Sequence, residues 1–332
     1  MRHVTLVLVR NNYASTTLAP QEIFLSAGRL WEQLHGEDEA GRFEVSVVTV
    51  DGRPVASCHG VGITPHGGIH DIEHTDVIIL SSSGLDVDEE LAYHQALYPW
   101  LRHHHRQGAY VGSICTGAAF LAEAGLLDAR RATTHWAIVS RYARRFPAVH
   151  WHADELITED DRLLTCGGVH AGLDMSLYLV EKFCGHEVAL QCARALVLDL
   201  PRTHQSGYAI LPLSRPHQDE RIREVEAFIC ARYADDLSVE QLAGKALMSP
   251  RTFMRRFKAA TGRLPGNYLQ ARRIAVAREL LEAGAQSIRE VSDRVGYEDL
   301  AYFRKLFKRE TGMTPAEYRR RFPAALDALA PG

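Results

Sequence analysis

Two stretches of this chain, RTFMRRFKAATGRLPGNYL (251–269) and AYFRKLFKRETGMTPAEYR (301–319), align without a gap. Phe253/Phe303, Phe257/Phe307, Lys258/Lys308, Thr261/Thr311, Gly262/Gly312, Pro265/Pro315 and Tyr268/Tyr318 are identical at a constant spacing of 50 residues. Upstream, SVEQLAGKA (238–246) matches SIREVSDRV (287–295) at a spacing of 49, which leaves a one-residue difference for the intervening turn. Such a repeat confines the fold, because each copy must be one supersecondary unit that buries the same face. Each reads as helix, short turn, helix.

The residues supply the physical logic. Ser238 and Ser287 are placed to cap a first helix whose apolar stripe (Val239, Leu242, Ala246; Ile288, Val291, Val295) faces a core. The second helix buries Phe253 and Phe257, or Phe303 and Phe307, and stops at Gly262 or Gly312. Its other faces offer Arg251, Met254, Arg255 and Arg256 in the first copy, and Ala301, Arg304, Lys305 and Lys308 in the second. Such a helix suits a major groove, where arginine pairs bidentately with guanine and lysine neutralises phosphate. The alternative is a four-helix scaffold with ordinary solvated cationic faces, and the agreement of repeat and turn spacing argues against it.

At 332 residues the chain exceeds one ordinary core, so two domains are expected. Charge divides the same way: residues 217–332 carry 21 Lys and Arg against 16 Asp and Glu, whereas the rest carries 17 against 25. A mildly basic module on an acidic body fits a nucleic-acid partner. Residues 200–220 (LPRTHQSGYAILPLSRPHQDE) are polar and proline-rich and read as a linker. Before them, β-branched runs alternate with helical patterns: VTLVLV, then 20–35; FEVSVVTV; DVIILSS, then 88–106; AYVGSI, then 116–126; RLLTC, then 171–185. That rhythm predicts a parallel sheet with helices on both faces. The expected division is residues 1–200 as an α/β domain, 201–218 as linker and 219–323 as an all-α DNA-binding domain.

No apolar run approaches the roughly 18 residues of a membrane span, and HVTLVLV reads as a buried strand and not a signal peptide, so a cytoplasmic protein is expected. Cysteines 58, 115, 166, 184, 192 and 230 show no CxxC pairing and read mostly as buried thiols. RHHHRQG (102–108) reads as a solvated helix end and HWH (150–152) lacks a third ligand, so neither a metal nor a cofactor is expected.

Residues 219–323 resemble the DNA-binding domain of AraC/XylS-type transcription regulators, most specifically in VARELLEAG (276–284), IREVSDRVGYEDLAYFRKLFKRETGMTP (288–315) and YRRRF (318–322). The resemblance implies two helix-turn-helix units joined by a linker helix over about 265–283. About residues 3–200 resemble the class I glutamine amidotransferase-like superfamily, in the branch of PfpI-type proteases and isocyanide hydratases, through SICTGAAFLAEAGLLDARRATTHW (113–136) and TCGGVHAGLDMSLYLVEKFCG (165–185). That implies a flavodoxin-like sheet with Cys115 on a strand-to-helix elbow.

Helix N–H groups at such an elbow favour thiolate, so Cys115 invites a catalytic reading. A nucleophile also needs a base held by a third group. PfpI-type enzymes carry histidine after the cysteine, where this chain has Thr116. The carboxylate that related enzymes carry after the first strand falls at Thr16, and no Asp or Glu precedes Glu22. The reading is therefore a ligand pocket without catalytic residues, lined by Asn12, Thr16, Cys115, Thr116 and His135. The two resemblances imply that 1–200 is a sensor and dimerisation domain. They imply a homodimeric regulator that binds double-stranded promoter DNA, works with RNA polymerase, responds to a small nitrogenous effector and activates transcription. A thiol-dependent hydratase or amidase fused to a DNA-binding module is the rival, supported by the Cys115–Thr116 pair of isocyanide hydratases. A constitutive DNA-binding protein with a dimerisation body is the third.

Overall fold

The computed structural model describes residues 1–199, 204–206, 208, 213–214, 217–284 and 286–322; parts of the expected linker (201–203, 207, 209–212, 215–216) and residue 323 lie outside them. The chain forms two compact units, Met1–Gln205 and Ser206–Gly332.

In the first unit the strands are β1 (Arg2–Val7), β2 (Phe43–Thr49), β3 (Gly67–Gly68), β4 (Val77–Leu80), β5 (Tyr110–Ile114), β6 (Arg131–Ala132), β7 (His150–Trp151), β8 (Ile157–Asp160) and β9 (Leu163–Cys166). The main sheet runs β3-β2-β1-β4-β5-β9-β8, with β8 antiparallel to β9 and every other neighbouring pair parallel. Without the two-residue β3, its first five strands follow the flavodoxin-like order, in which the order of the parallel strands reverses between β1 and β4. The helices are α1 (Ser15–Ser26), α2 (Leu30–His35), α3 (Val87–Tyr93), α4 (Leu97–Arg106), α5 (Ala118–Glu123), α6 (Val139–Arg145), α7 (Ala171–Cys184) and α8 (His186–Ala195).

Alternation along the strands feeds two cores. Val4, Leu6 and Leu8 pack with Ile79, Ile114, Phe24 and Met175 on one face, and Val7 and Val9 pack with Ile78, Leu80, Val111 and Phe120 on the other. Both faces are covered, as a parallel sheet requires.

Several expectations need correcting. The stretches 20–35 and 88–106 each form two helices, and α1 begins at Ser15 with Pro20 inside it. The break after α3 buries His94, whose Nε2 accepts the Arg10 N–H at 3.0 Å. The histidine run at the end of α4 is not all solvated: His104 and His105 are buried, the latter bound through Nε2 to Asp161 O. Cys115, Cys166 and Cys192 are buried, but Cys58, Cys184 and Cys230 are only partly so.

The second unit is helical among the described residues: α9 (Glu220–Ala231), α10 (Val239–Lys245), α11 (Pro250–Thr261), α12 (Pro265–Glu282), α13 (Ile288–Arg294), α14 (Leu300–Thr311) and α15 (Pro315–Arg321). Ser238 and Ser287 cap α10 and α13 in capping boxes closed by Gln241 and Glu290. Gly262 and Gly312 end α11 and α14 in the left-handed conformation, at φ 81° and 75°. Phe253 and Phe257 sit in one core and Phe303 and Phe307 in another, all fully buried. Among the described residues no helix is long and apolar enough to cross a membrane.

Candidate functional site

Each second helix of the repeats presents one exposed row. Arg251, Met254, Arg255 and Lys258 on α11 are exposed, as are Ala301, Arg304, Lys305 and Lys308 on α14. Both rows follow i, i+3, i+4, i+7, one face of a helix. Among the described residues neither Arg251 nor Arg255 takes part in an ion pair. Arg256 is different: it lies off this row, and its guanidinium binds both oxygens of Asp219, the N-cap of α9, at 2.9–3.0 Å. Among the described residues it is the one of the eight DNA candidates held in an ion pair.

The turns into these helices also differ. Leu247 takes φ 55° and is 79 % exposed, whereas its counterpart Gly296 takes φ 83°. A Cβ on Gly296 would lie 2.4 Å from Ala234 O, so glycine is required in the second repeat.

In the first unit Asn12 and Thr16 follow β1 and Cys115 and Thr116 follow β5, near the switch point where open α/β sheets form a crevice. His135 instead follows β6 in the separate two-stranded sheet, its neighbour Thr134 donating through Oγ1 to Cys115 O. Cys115 begins the turn after β5 with φ 56°, a left-handed conformation that is unusual away from glycine. Gly117 allows the sharp bend, since a Cβ there would lie 2.7 Å from Ser81 O. Burial pushes the Cys115 thiol up to about 11, and the Thr116 backbone N–H offsets this only in part. The expected thiolate is thus reversed to a neutral thiol, because desolvation outweighs the helix end. Among the described residues no histidine or carboxylate is hydrogen-bonded to its sulfur.

The hydroxyl and amide candidates are spent on the walls. Thr116 Oγ1 donates to Ser83 O at 2.9 Å and accepts the Ser83 N–H at 2.7 Å. Thr16 Oγ1 donates to Tyr13 O at 2.6 Å and accepts the Ser82 N–H at 3.2 Å. Asn12 is fully buried; its Nδ2 donates to Val9 O at 2.8 Å and its Oδ1 accepts from Ser57 Oγ at 3.0 Å, so it clamps a turn. His135 is half-buried, and its Nδ1 accepts the Ala137 N–H at 3.1 Å, leaving the proton on Nε2. Burial lowers its pKa, which favours the neutral ring. A surface groove of about 430 Å³ between α3, α4 and α5 is lined by Leu91, Tyr98, Arg102, Glu123 and Arg145 among others, and by none of these candidates.

Comparison with known proteins settles the architecture. Residues 25–182 match the DJ-1/PfpI family and residues 242–321 match a helix-turn-helix domain. The chain is 28 % identical over 286 residues to the HTH-type transcriptional regulator CdhR of Pseudomonas aeruginosa, covering 86 % of this chain and 84 % of that one. The chain belongs to the AraC-type helix-turn-helix regulators that carry a DJ-1/PfpI domain. A solved AraC family transcriptional regulator from Pseudomonas putida shares the regulator's α/β fold, with TM-score 0.50 and 19 % identity over 59 % of this chain and all of that one. The same half is also 34 % identical over 147 residues to the isonitrile hydratase of Pseudomonas putida, 44 % of this chain and 62 % of the hydratase. The fold family therefore includes enzymes.

Sequence reasoning missed Ser82, whose backbone N–H and hydroxyl meet Thr16, and Ser83, whose backbone N–H and carbonyl bind Thr116. No local pattern marks them, since each partner is 33 or 66 residues away. It also missed Tyr302, 46 % exposed beside the α14 row, which helical spacing from Phe303 would have placed outside.

Proposed function

We propose that this regulator reads promoter DNA with the exposed rows of α11 and α14, and that a small nitrogenous metabolite at the Cys115–His135 crevice adjusts how it does so. The observation that carries the reading is the joining of two exposed helical rows bearing arginine and lysine to a unit whose elbow thiol is held neutral by burial and, among the described residues, has no histidine or carboxylate hydrogen-bonded to it. In this reading the first unit is also the body of a homodimer, the protein works in the cytoplasm, and activation proceeds through contact with RNA polymerase. The chain is not an enzyme in this reading: a nucleophile needs an activating partner, and a buried neutral thiol supplies little thiolate at neutral pH.

A hydratase reading has its own support in the likeness to isonitrile hydratase and in the Cys115–Thr116 pair. A thermal-shift screen of amines, amino acids and betaines against the full chain separates the two, because a ligand specific to the native state raises its melting temperature. A compound that raises it and alters affinity for a duplex selected by the chain, with both responses lost in Cys115→Trp, supports the sensor. Turnover of an isocyanide or amide by wild type, abolished in Cys115→Ser, would replace it with the enzyme.

A further inference from the structure

Gln205 closes the first unit and Ser206 opens the second. Although it ends its unit, Gln205 is only 2 % exposed. Its Nε2 donates to Thr134 O at 2.8 Å and to Thr133 Oγ1 and Glu155 O at 3.1 Å, while its Oε1 accepts the Trp136 N–H at 3.1 Å. Carbonyl oxygens on one side and an N–H on the other leave a single orientation for the amide. The Gln205 backbone N–H adds a bond to Asp154 O at 3.0 Å. Gly167 makes room for it, since a Cβ there would lie 2.6 Å from Gln205 Oε1. Chain leaving a domain ordinarily runs over the surface, and a buried amide satisfied on every side is a different arrangement.

The segment that holds this amide, Thr133–Trp136, also contains His135 and borders the Cys115 elbow, where the effector site is proposed. Thr134 Oγ1 donates to Cys115 O at 2.8 Å, and His135 lies against Gly168, the neighbour of Gly167. In the second unit Ser206 O accepts from Arg278 Nη2 at 2.9 Å, and Arg278 belongs to α12, the helix that joins the two repeats. One peptide bond separates the two attachments.

We infer that Gln205 is the latch through which occupancy of the crevice reaches the DNA-binding unit. With the crevice empty, the amide holds the start of the connecting segment to Thr133–Trp136; a ligand that presses on Thr133–Trp136 releases it. The inference rests on the effector reading of the crevice. A ligand shifts such an equilibrium only by its differential affinity for the two states, so the released state is the one that binds it better. Release also frees the DNA-binding unit to adjust to its duplex, which strengthens binding.

The test titrates full-length wild type, Gln205→Ala, Gln205→Met, Cys115→Trp and the Cys115→Trp/Gln205→Ala double variant with one duplex selected by wild type. Gln205→Met keeps volume beside Gly167 without the hydrogen bonds, and circular dichroism melts check that each variant is folded. Both Gln205 variants should bind about tenfold more tightly, equivalent to about 1.4 kcal/mol. Cys115→Trp, which crowds the crevice, should do the same, and the double variant should gain nothing further. Unchanged affinity in both Gln205 variants overturns the latch. Additive gains from Cys115→Trp and Gln205→Ala overturn it too, while leaving the crevice as a control site acting by another route. Tighter binding in the Gln205 variants with none in Cys115→Trp overturns the coupling of Gln205 to the crevice, while the thermal-shift response of wild type decides the effector reading separately.

Discussion

The two helix-turn-helix repeats share a scaffold and present different surfaces. Phe253, Phe257, Phe303 and Phe307 are all fully buried, and both second helices end at a left-handed glycine. On the exposed rows, Arg251 stands where Ala301 does, Met254 where Arg304 does and Arg255 where Lys305 does. The buried half of the helical period fixes the fold, which leaves the exposed half free to differ in charge and shape. The turns diverge as well: a strained, exposed leucine serves the first repeat and an obligatory glycine the second.

The largest effects should come from the shared half. Phe257→Ala and Phe307→Ala should each cost about 3–5 kcal/mol, as expected for emptying a packed aromatic site. Denaturant melts of the full chain measure this, and a gap of more than about 2 kcal/mol between the two would break the equivalence of the scaffolds. The turns come next. Gly296→Ala should destabilise by roughly 2–4 kcal/mol, because its Cβ meets a carbonyl at a left-handed φ. Leu247→Gly should instead stabilise by up to about 1 kcal/mol, since relief of the left-handed strain exceeds the entropy cost of glycine. Equal midpoint shifts in the two variants would contradict the asymmetry.

The exposed half should separate the repeats by specificity. Arg255→Ala should cost about 1–3 kcal/mol on a cognate duplex and relax base preference in one half of the site. Lys308→Ala should weaken cognate and scrambled duplexes alike and make the salt dependence shallower by about one unit. A salt series on both duplexes decides it: if Arg255→Ala weakens both equally, α11 is not the reader.

Legibility followed the range of the interactions. Caps, stop glycines and buried phenylalanines of the repeats are set by neighbours within one helix, and residue spacing alone places them. The sheet was legible as alternating β-branched runs, but β8, a short antiparallel edge of mixed residues, was not. At the elbow, sequence locates Cys115 and the helix that follows, yet only packing reveals that burial outweighs the helix end and keeps the thiol protonated. Asn12, Thr16 and Thr116 were found as positions, whereas their orientation depends on Ser57, Ser82 and Ser83, far along the chain. Gln205 lay in a stretch that composition marks as linker, and nothing local signals its burial.

Arg256 gives the smallest effect and the sharpest check on the boundary between scaffold and surface. Its counterpart in the second repeat is Leu306, 2 % exposed, so the position belongs to the inner half of the period. In the first repeat the same position holds a cation, and Asp219 meets it. The pair remains partly solvated, with 41 % of the arginine side chain exposed, so water and salt screen most of its attraction. Arg256→Met should therefore change stability by no more than about 1 kcal/mol. Asp219→Ala should cost about 1 kcal/mol more, because Asp219 also accepts the Ile222 N–H as the N-cap of α9. DNA affinity, base preference and salt dependence should all stay at wild-type values in Arg256→Met. A salt dependence shallower by about one unit would instead place Arg256 on a phosphate, and the recognition row of the first repeat would be wider than that of the second.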